Sequence, residues 1–162
     1  MNKYLQRCEE LLKLSNCCLI HFGSVLVKDG QIIGQGYNFS LKDECETICL
    51  KDKIDNREIG KNSAICYAIH SEWMAIFNAL NNYDFNEVRG STLYIVGRYP
   101  NGEAWKSKYF ACTICSRMLQ YCGIKEVIGL QFNKKRRLSM DEAFDSAYEH
   151  LLGKLLKGIK KT

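Results

Sequence analysis

Cys66-Tyr67-Ala68-Ile69-His70-Ser71-Glu72-Trp73-Met74-Ala75-Ile76-Phe77 starts a helix on a metal ligand. Trp73, Met74, Ile76, Phe77 and Leu80 keep helical spacing, which puts His70 at the helix entrance and Glu72 in its first turn. Residues two apart diverge within a helix, so only that placement lets both side chains converge on one point. Forty residues on, Cys112-Thr113-Ile114-Cys115 places two sulfurs three apart at the mouth of another helix. There they lie on one side, and the positive end of the helix dipole favours their thiolate form. An imidazole and two thiolates hold a tetrahedral Zn²⁺ with one corner open, the arrangement of a catalytic site. A water taking that corner has its pKa lowered from about 15.7 to about 7. Glu72, a carboxylate outside the ligand set, is then placed to take the proton.

The rest of the chain supplies a scaffold for two such helix mouths. Leu5, Cys8, Leu11 and Leu12 mark an amphipathic first helix. Ser24 to Lys28 and Gln31 to Tyr37 read as a hairpin around Asp29-Gly30, a pair suited to a type I′ turn. A polar loop with scattered cysteines follows from Asn38 to about Asn62, and Thr92 to Val96 is a buried-type strand. Gly97 to Ala111, with Pro100, Gly102 and several charges, reads as an exposed insertion. After the Cys112 helix comes a strand at Val127 to Leu130. The last helix is announced by Ser139 and Glu142 as a capping box and by Phe144, Ala147, Tyr148, Leu151, Leu152 and Leu155. This order predicts an α/β fold with a mixed sheet covered on both faces. The Thr92 and Val127 strands, joined by a helix, should be parallel with a right-handed crossover. No fifth strand is evident.

At 162 residues, 46% hydrophobic and 25% charged, the chain is expected to form a single domain, residues 1–162, with a basic C-terminal helix and tail over about 139–162. It has no apolar run of transmembrane length and no signal-peptide core at its N-terminus, which predicts a cytoplasmic protein without a membrane. In a reduced compartment its nine cysteines read as metal ligands and core side chains. Four of the five net positive charges arise after residue 130, from Lys134, Lys135, Arg136, Arg137 and four later lysines against four carboxylates. A basic end suits a phosphorylated substrate or nucleic acid; without interleaved aromatic residues it reads more simply as a solvated helix face and tail.

In their order, Gly23 to Gly30, Gly36-Tyr37-Asn38, Cys66 to Glu72, Cys112 to Cys115 and Gly123 to Val127 resemble the cytidine and deoxycytidylate deaminase family, the deoxycytidylate branch most of all. The resemblance covers roughly residues 15 to 130. It implies a three-layer α/β/α sandwich with a sheet of four to five strands, and a homo-oligomer. It also implies zinc held by His70, Cys112 and Cys115, proton transfer by Glu72, and contact of Asn38 with the base or sugar of a small nucleotide or nucleoside. The implied reaction is hydrolytic deamination, with dCMP to dUMP plus ammonia foremost. The alternatives are a nucleic-acid base deaminase acting on tRNA adenosine or single-stranded DNA, and a zinc-stabilised binding module without catalysis.

The chain departs from the family pattern in three places. Ala111 stands where proline usually precedes the first cysteine, Ser71 replaces the alanine of H-A-E, and Leu19 and Ile20 stand where arginine is common. Cys45 and Cys49, with Cys66 and one of Cys17 or Cys18, read either as a second, closed zinc site or as core side chains. Arg98, Lys106 and Lys108 in the insertion either bind a phosphate or keep the loop soluble. Trp105 and Tyr109 beside them either stack on a base or pack against a neighbouring helix or subunit.

Overall fold

The computed structural model of the chain describes residues 2–49 and 66–159. Helix α1 (Lys3–Leu11) leads into strands β1 (His21–Lys28) and β2 (Gln31–Tyr37) and a short pair, β3 (Phe39–Ser40) and β4 (Ala68–Ile69). Then follow α2 (Ser71–Leu80), α3 (Phe85–Val88), β5 (Thr92–Arg98), α4 (Thr113–Tyr121), β6 (Glu126–Gln131), β7 (Lys134–Ser139) and α5 (Met140–Ile159). The main sheet has the order β2-β1-β5-β6-β7. Only the β5–β6 pair, bridged by α4, is parallel; the other neighbours are antiparallel.

Side chains alternate through the sheet and divide the core in two. Leu26, Leu93, Ile95 and Val127 face α2, α4 and α5, where they meet Ile76, Ala79, Leu119 and Ala143. Val25, Val27, Tyr94, Val96 and Ile128 face the other way, onto Leu5, Cys8 and Leu11 of α1. The result is an α/β sandwich, with three helices on one face and α1 on the other. None of the described helices is long and apolar enough to cross a membrane.

The β1–β2 hairpin turns at Asp29 and Gly30, both with positive φ (48° and 78°), as a type I′ turn requires. Beyond it, α2 settles directly on β2, because Gly34 and Gly36 leave no side chain between them. A methyl group at Gly34 would come within 2.1 Å of the Ala75 carbonyl oxygen. The glycines thus bring the helix carrying His70 and Glu72 onto the sheet.

Two expectations from sequence are corrected here. The basic run Lys134 to Arg137 is the fifth strand of the sheet, not part of a helix face or tail. All four side chains are exposed and only Leu138 of that strand is anchored, so the hydrophobic alternation that marks a strand is missing. The turn before it runs through Phe132 and Asn133, both at positive φ. Four cations on an outer strand keep its open hydrogen-bonding edge from pairing with another chain. The segment from Gly97 to Ala111 is not simply exposed either. Trp105 N–H donates to the Gly97 carbonyl at 3.1 Å, and Ser107, Phe110 and Ala111 are buried, with the Phe110 ring against Gly129. It is a folded wall rather than a free loop.

The capping box forms as expected: the Glu142 amide donates to Ser139 Oγ at 3.2 Å, and Ser139 N–H donates to Glu142 Oε2 at 2.8 Å.

Candidate active site

His70 is the N-cap residue of α2 and Cys112 that of α4, so two helix N-termini meet at one point. Among the described residues, His70, Cys112 and Cys115 form the one group of three or more His, Cys, Asp or Glu side chains whose ligand atoms all lie within 4.8 Å of one another. His70 Nδ1 is 3.1 Å from Cys115 Sγ and 3.6 Å from Cys112 Sγ. A tetrahedral zinc with ordinary Zn–N and Zn–S bonds sets such pairs about 3.5 Å apart. The donor set therefore fits Zn²⁺ in number, chemistry and spacing.

Electrostatics in the metal-free cluster tie the three groups together. A hydrogen bond from the Cys115 thiol, opposed by burial and assisted by His70, lowers Cys112 to about 4. The same bond to Cys112, with burial, raises Cys115 well above the ordinary thiol value. Burial works against the His70 imidazolium, yet hydrogen bonds with the Cys112 and Cys66 sulfurs and the charge of Glu72 push it up to about 10. The metal-free site is thus an imidazolium–thiolate pair beside a neutral thiol. Zinc must displace one proton from His70 and one from Cys115, so calorimetry in buffers of different ionisation enthalpy should show about two protons released per zinc at pH 7. Affinity should climb with pH through the range in which His70, near 10, and the raised Cys115 thiol lose their protons.

Glu72 sits in the first turn of α2, 5% exposed, and burial raises its carboxyl above the ordinary carboxylate range while the His70 charge pulls the other way. It lines a cavity of about 180 Å³ together with His70, Ser71 and Cys112. Phe22, Trp105 and Tyr109 form aromatic walls, and Leu19 and Ile20 add an apolar side. Trp105 meets Phe22 edge-on at 4.8 Å and Tyr109 at 5.4 Å, and Tyr109 leans on His150. The space takes one small ring beside the metal donors and the carboxyl.

Residues 1–131 match the family model described as the cytidine and deoxycytidylate deaminase zinc-binding region. The chain belongs to that family. Its fold is shared with the dCMP deaminase from the cyanophage S-TIM5, in a structure with dCMP and dUMP, at 19% identity and a TM-score of 0.56 over 90% of this chain and 89% of that one. Cytidine deaminase from Burkholderia pseudomallei aligns at 17% identity and a TM-score of 0.56, covering 87% of this chain and 93% of the other. No curated protein sequence gives a significant match.

The remaining deaminase-pattern residues are placed as follows. Asn38 is buried in the cavity wall, its side chain bracing the start of β1: Oδ1 accepts from Phe22 N–H at 2.6 Å and Nδ2 donates to the Ile20 carbonyl at 2.9 Å. Asn38→Ala strands both backbone groups and should cost about 1–3 kcal/mol, read as a lower urea midpoint at unchanged slope. None of the nine cysteines is joined in a disulfide. Cys17, Cys49 and Cys66 line the same cavity, and Cys18 N–H donates to the Cys45 carbonyl at 3.0 Å. No three of these five bring their sulfurs within 4.8 Å of one another.

Arg98 is committed to Glu9, with Nε 3.0 Å from both carboxylate oxygens, and Lys106 pairs with Glu103 at 3.2 Å. The buried Ala111, where proline is usual, offers its carbonyl to Ser116 Oγ at 3.4 Å. Sequence reasoning passed over Ser24, fully buried on β1, whose Oγ is 2.7 Å from Ser71 Oγ. A lone serine inside an apolar strand carries no signal until its partner is seen.

Proposed function

We propose that this chain hydrolytically deaminates the cytosine ring of a nucleotide or nucleoside, deoxycytidylate foremost, giving the uracil product and ammonia. The observation that carries this reading is a buried carboxyl, Glu72, in the same ring-sized cavity as His70 and Cys112, which with Cys115 make up the donor set. Those three side chains hold the ion, which when bound supplies Lewis acidity and a water readily deprotonated near neutral pH. Glu72 accepts one proton of the attacking water and passes it to the ring nitrogen as oxygen bonds to the amino-bearing carbon. It then takes the remaining proton from that added hydroxyl and delivers it to the amine, which leaves as ammonia as the carbon–nitrogen bond breaks and the oxygen becomes a carbonyl. The raised proton affinity of Glu72 suits a group that must both take and give one. Phe22, Trp105 and Tyr109 confine the ring, and Asn38 keeps one amide hydrogen for the base or sugar.

At about 180 Å³ the cavity lies below the size of sites that enclose drug-sized ligands, roughly 300 Å³ and up. The base therefore enters and the sugar stays at the mouth. A second reading, the nucleoside without its phosphate, is favoured by one observation: among the described residues, the cavity lining includes no lysine or arginine, and Leu19 and Ile20 supply apolar surface there. Ultraviolet assays across dCMP, CMP, deoxycytidine, cytidine, guanine, tRNA and a single-stranded oligonucleotide decide between them. Fastest turnover of dCMP supports the first reading, and a preference for deoxycytidine or cytidine supports the second. Turnover confined to tRNA or the oligonucleotide, falling steeply with salt, would overturn both.

A further inference from the structure

Ser71 stands between His70 and the carboxyl-bearing residue, with a fully buried side chain. Its hydroxyl donates to Glu72 Oε2 at 3.1 Å, and Ser24 Oγ on β1 lies 2.7 Å away from it. A serine has one hydroxyl proton; that of Ser71 goes to the carboxylate, so the hydrogen between the two serines comes from Ser24. The result is a directed chain from Ser24 to Ser71 to Glu72, in which both serines are wholly excluded from solvent. Burying two hydroxyls between apolar layers is tolerable only because each has a partner.

A glutamate carboxyl turns freely about its last torsion, which is broad and two-fold. A proton carrier that must reach water, ring nitrogen and leaving amine in turn gains from having that plane held. We propose that Ser71, backed by Ser24, is a positioning residue that pins Glu72 Oε2 and leaves Oε1 as the oxygen that moves protons during deamination. This rests on the role given to Glu72 above. Ser24 acts only through Ser71, which polarises the bond Ser71 makes.

The test uses zinc-loaded Ser71→Ala, Ser24→Ala and the double variant, with whichever of dCMP or deoxycytidine the native enzyme turns over faster. Ser71→Ala should lower kcat about tenfold with KM within about twofold and full zinc content, the signature of an interaction made in the transition state. Ser24→Ala should lower kcat about threefold, and the double variant should match Ser71→Ala, because the two losses are not independent. The ¹³Cδ resonance of Glu72 should move in Ser24→Ala, transmitted through the Ser71 hydroxyl. An unchanged kcat in Ser71→Ala, or losses that add and come with altered KM or lost zinc, overturns the inference. Should Ser71→Ala not fold, Ser24→Ala carries the same decision through kcat and the Glu72 resonance. An inactive Glu72→Gln beside a fully active Ser71→Ala removes only this inference; an active Glu72→Gln removes the reading beneath it as well.

Discussion

Glu72→Gln should lower kcat by about 10³-fold while zinc content and thermal midpoint hold, because general acid–base transfer contributes about 10²–10⁴-fold and an amide cannot carry the proton. The substitution keeps the shape of the side chain and leaves an oxygen to accept from Ser71. Its effect on stability follows from the burial of the carboxyl. Burial raises the Glu72 carboxyl above its ordinary value in the zinc-free protein, so folding disfavours its charged form relative to the unfolded chain. A raised acid contributes most stability below its unfolded pKa, and that contribution declines as pH climbs through the folded one. At neutral pH the native carboxyl is therefore a burden that the neutral amide lifts, and zinc-free Glu72→Gln should melt no lower than the native protein. Activity assays, metal analysis and calorimetry on the same preparation check all three parts. Turnover within tenfold of native would remove Glu72 from the chemistry.

The metal site was legible in the sequence because metal chemistry is local. His70 and Glu72 two apart at a helix mouth, and Cys112 and Cys115 three apart at another, admit few arrangements that use all four side chains, and the structure brings the three donors together. The β1–β2 hairpin was legible for a similar reason: Asp29-Gly30 suits few turns other than the one it makes. What escaped depends on contacts between distant segments. Lys134 to Arg137 forms a strand because β6 offers an edge, and its own pattern of consecutive charges says the opposite. The short β3–β4 pairing joins Phe39–Ser40 to Ala68–Ile69 across nearly thirty residues and has no periodicity to betray it. The charged segment after Gly97 looked solvated until Phe110 and Ala111 were seen in the core. Part of the polar loop from Asn38 to about Asn62 lies outside the described residues. The Ser24–Ser71 bond belongs to the same class, since each serine gains its meaning from a partner in another element.

Gly36→Ala should be among the most damaging single-methyl changes in the described residues, and its cost would appear in both stability and catalysis. The added carbon would lie 2.4 Å from the Ser71 carbonyl oxygen, 2.5 Å from the Ala75 amide nitrogen and 2.6 Å from Met74 Cβ. Two of these are backbone atoms of α2, which no rotamer change can move aside. The helix must therefore lift from β2, opening the contact that buries Ala75 and Ile76, and such overpacking typically costs about 1–3 kcal/mol or more. The displaced turn is the one that holds Ser71 and Glu72 and begins at His70. A shift of about 1 Å at a reacting group can cost on the order of 10²-fold in rate. Below its lowered melting point, Gly36→Ala should thus remain folded yet lose much of its turnover, and zinc should bind more weakly as His70 moves off Cys112 and Cys115. Gly102→Ala is the control: its carbon would meet nothing within 4 Å, so any loss there reflects only the strain of φ +84° and no clash with α2. If Gly36→Ala melts with the native protein and keeps full turnover, α2 does not rest on β2 as described and the placement of Glu72 fails with it.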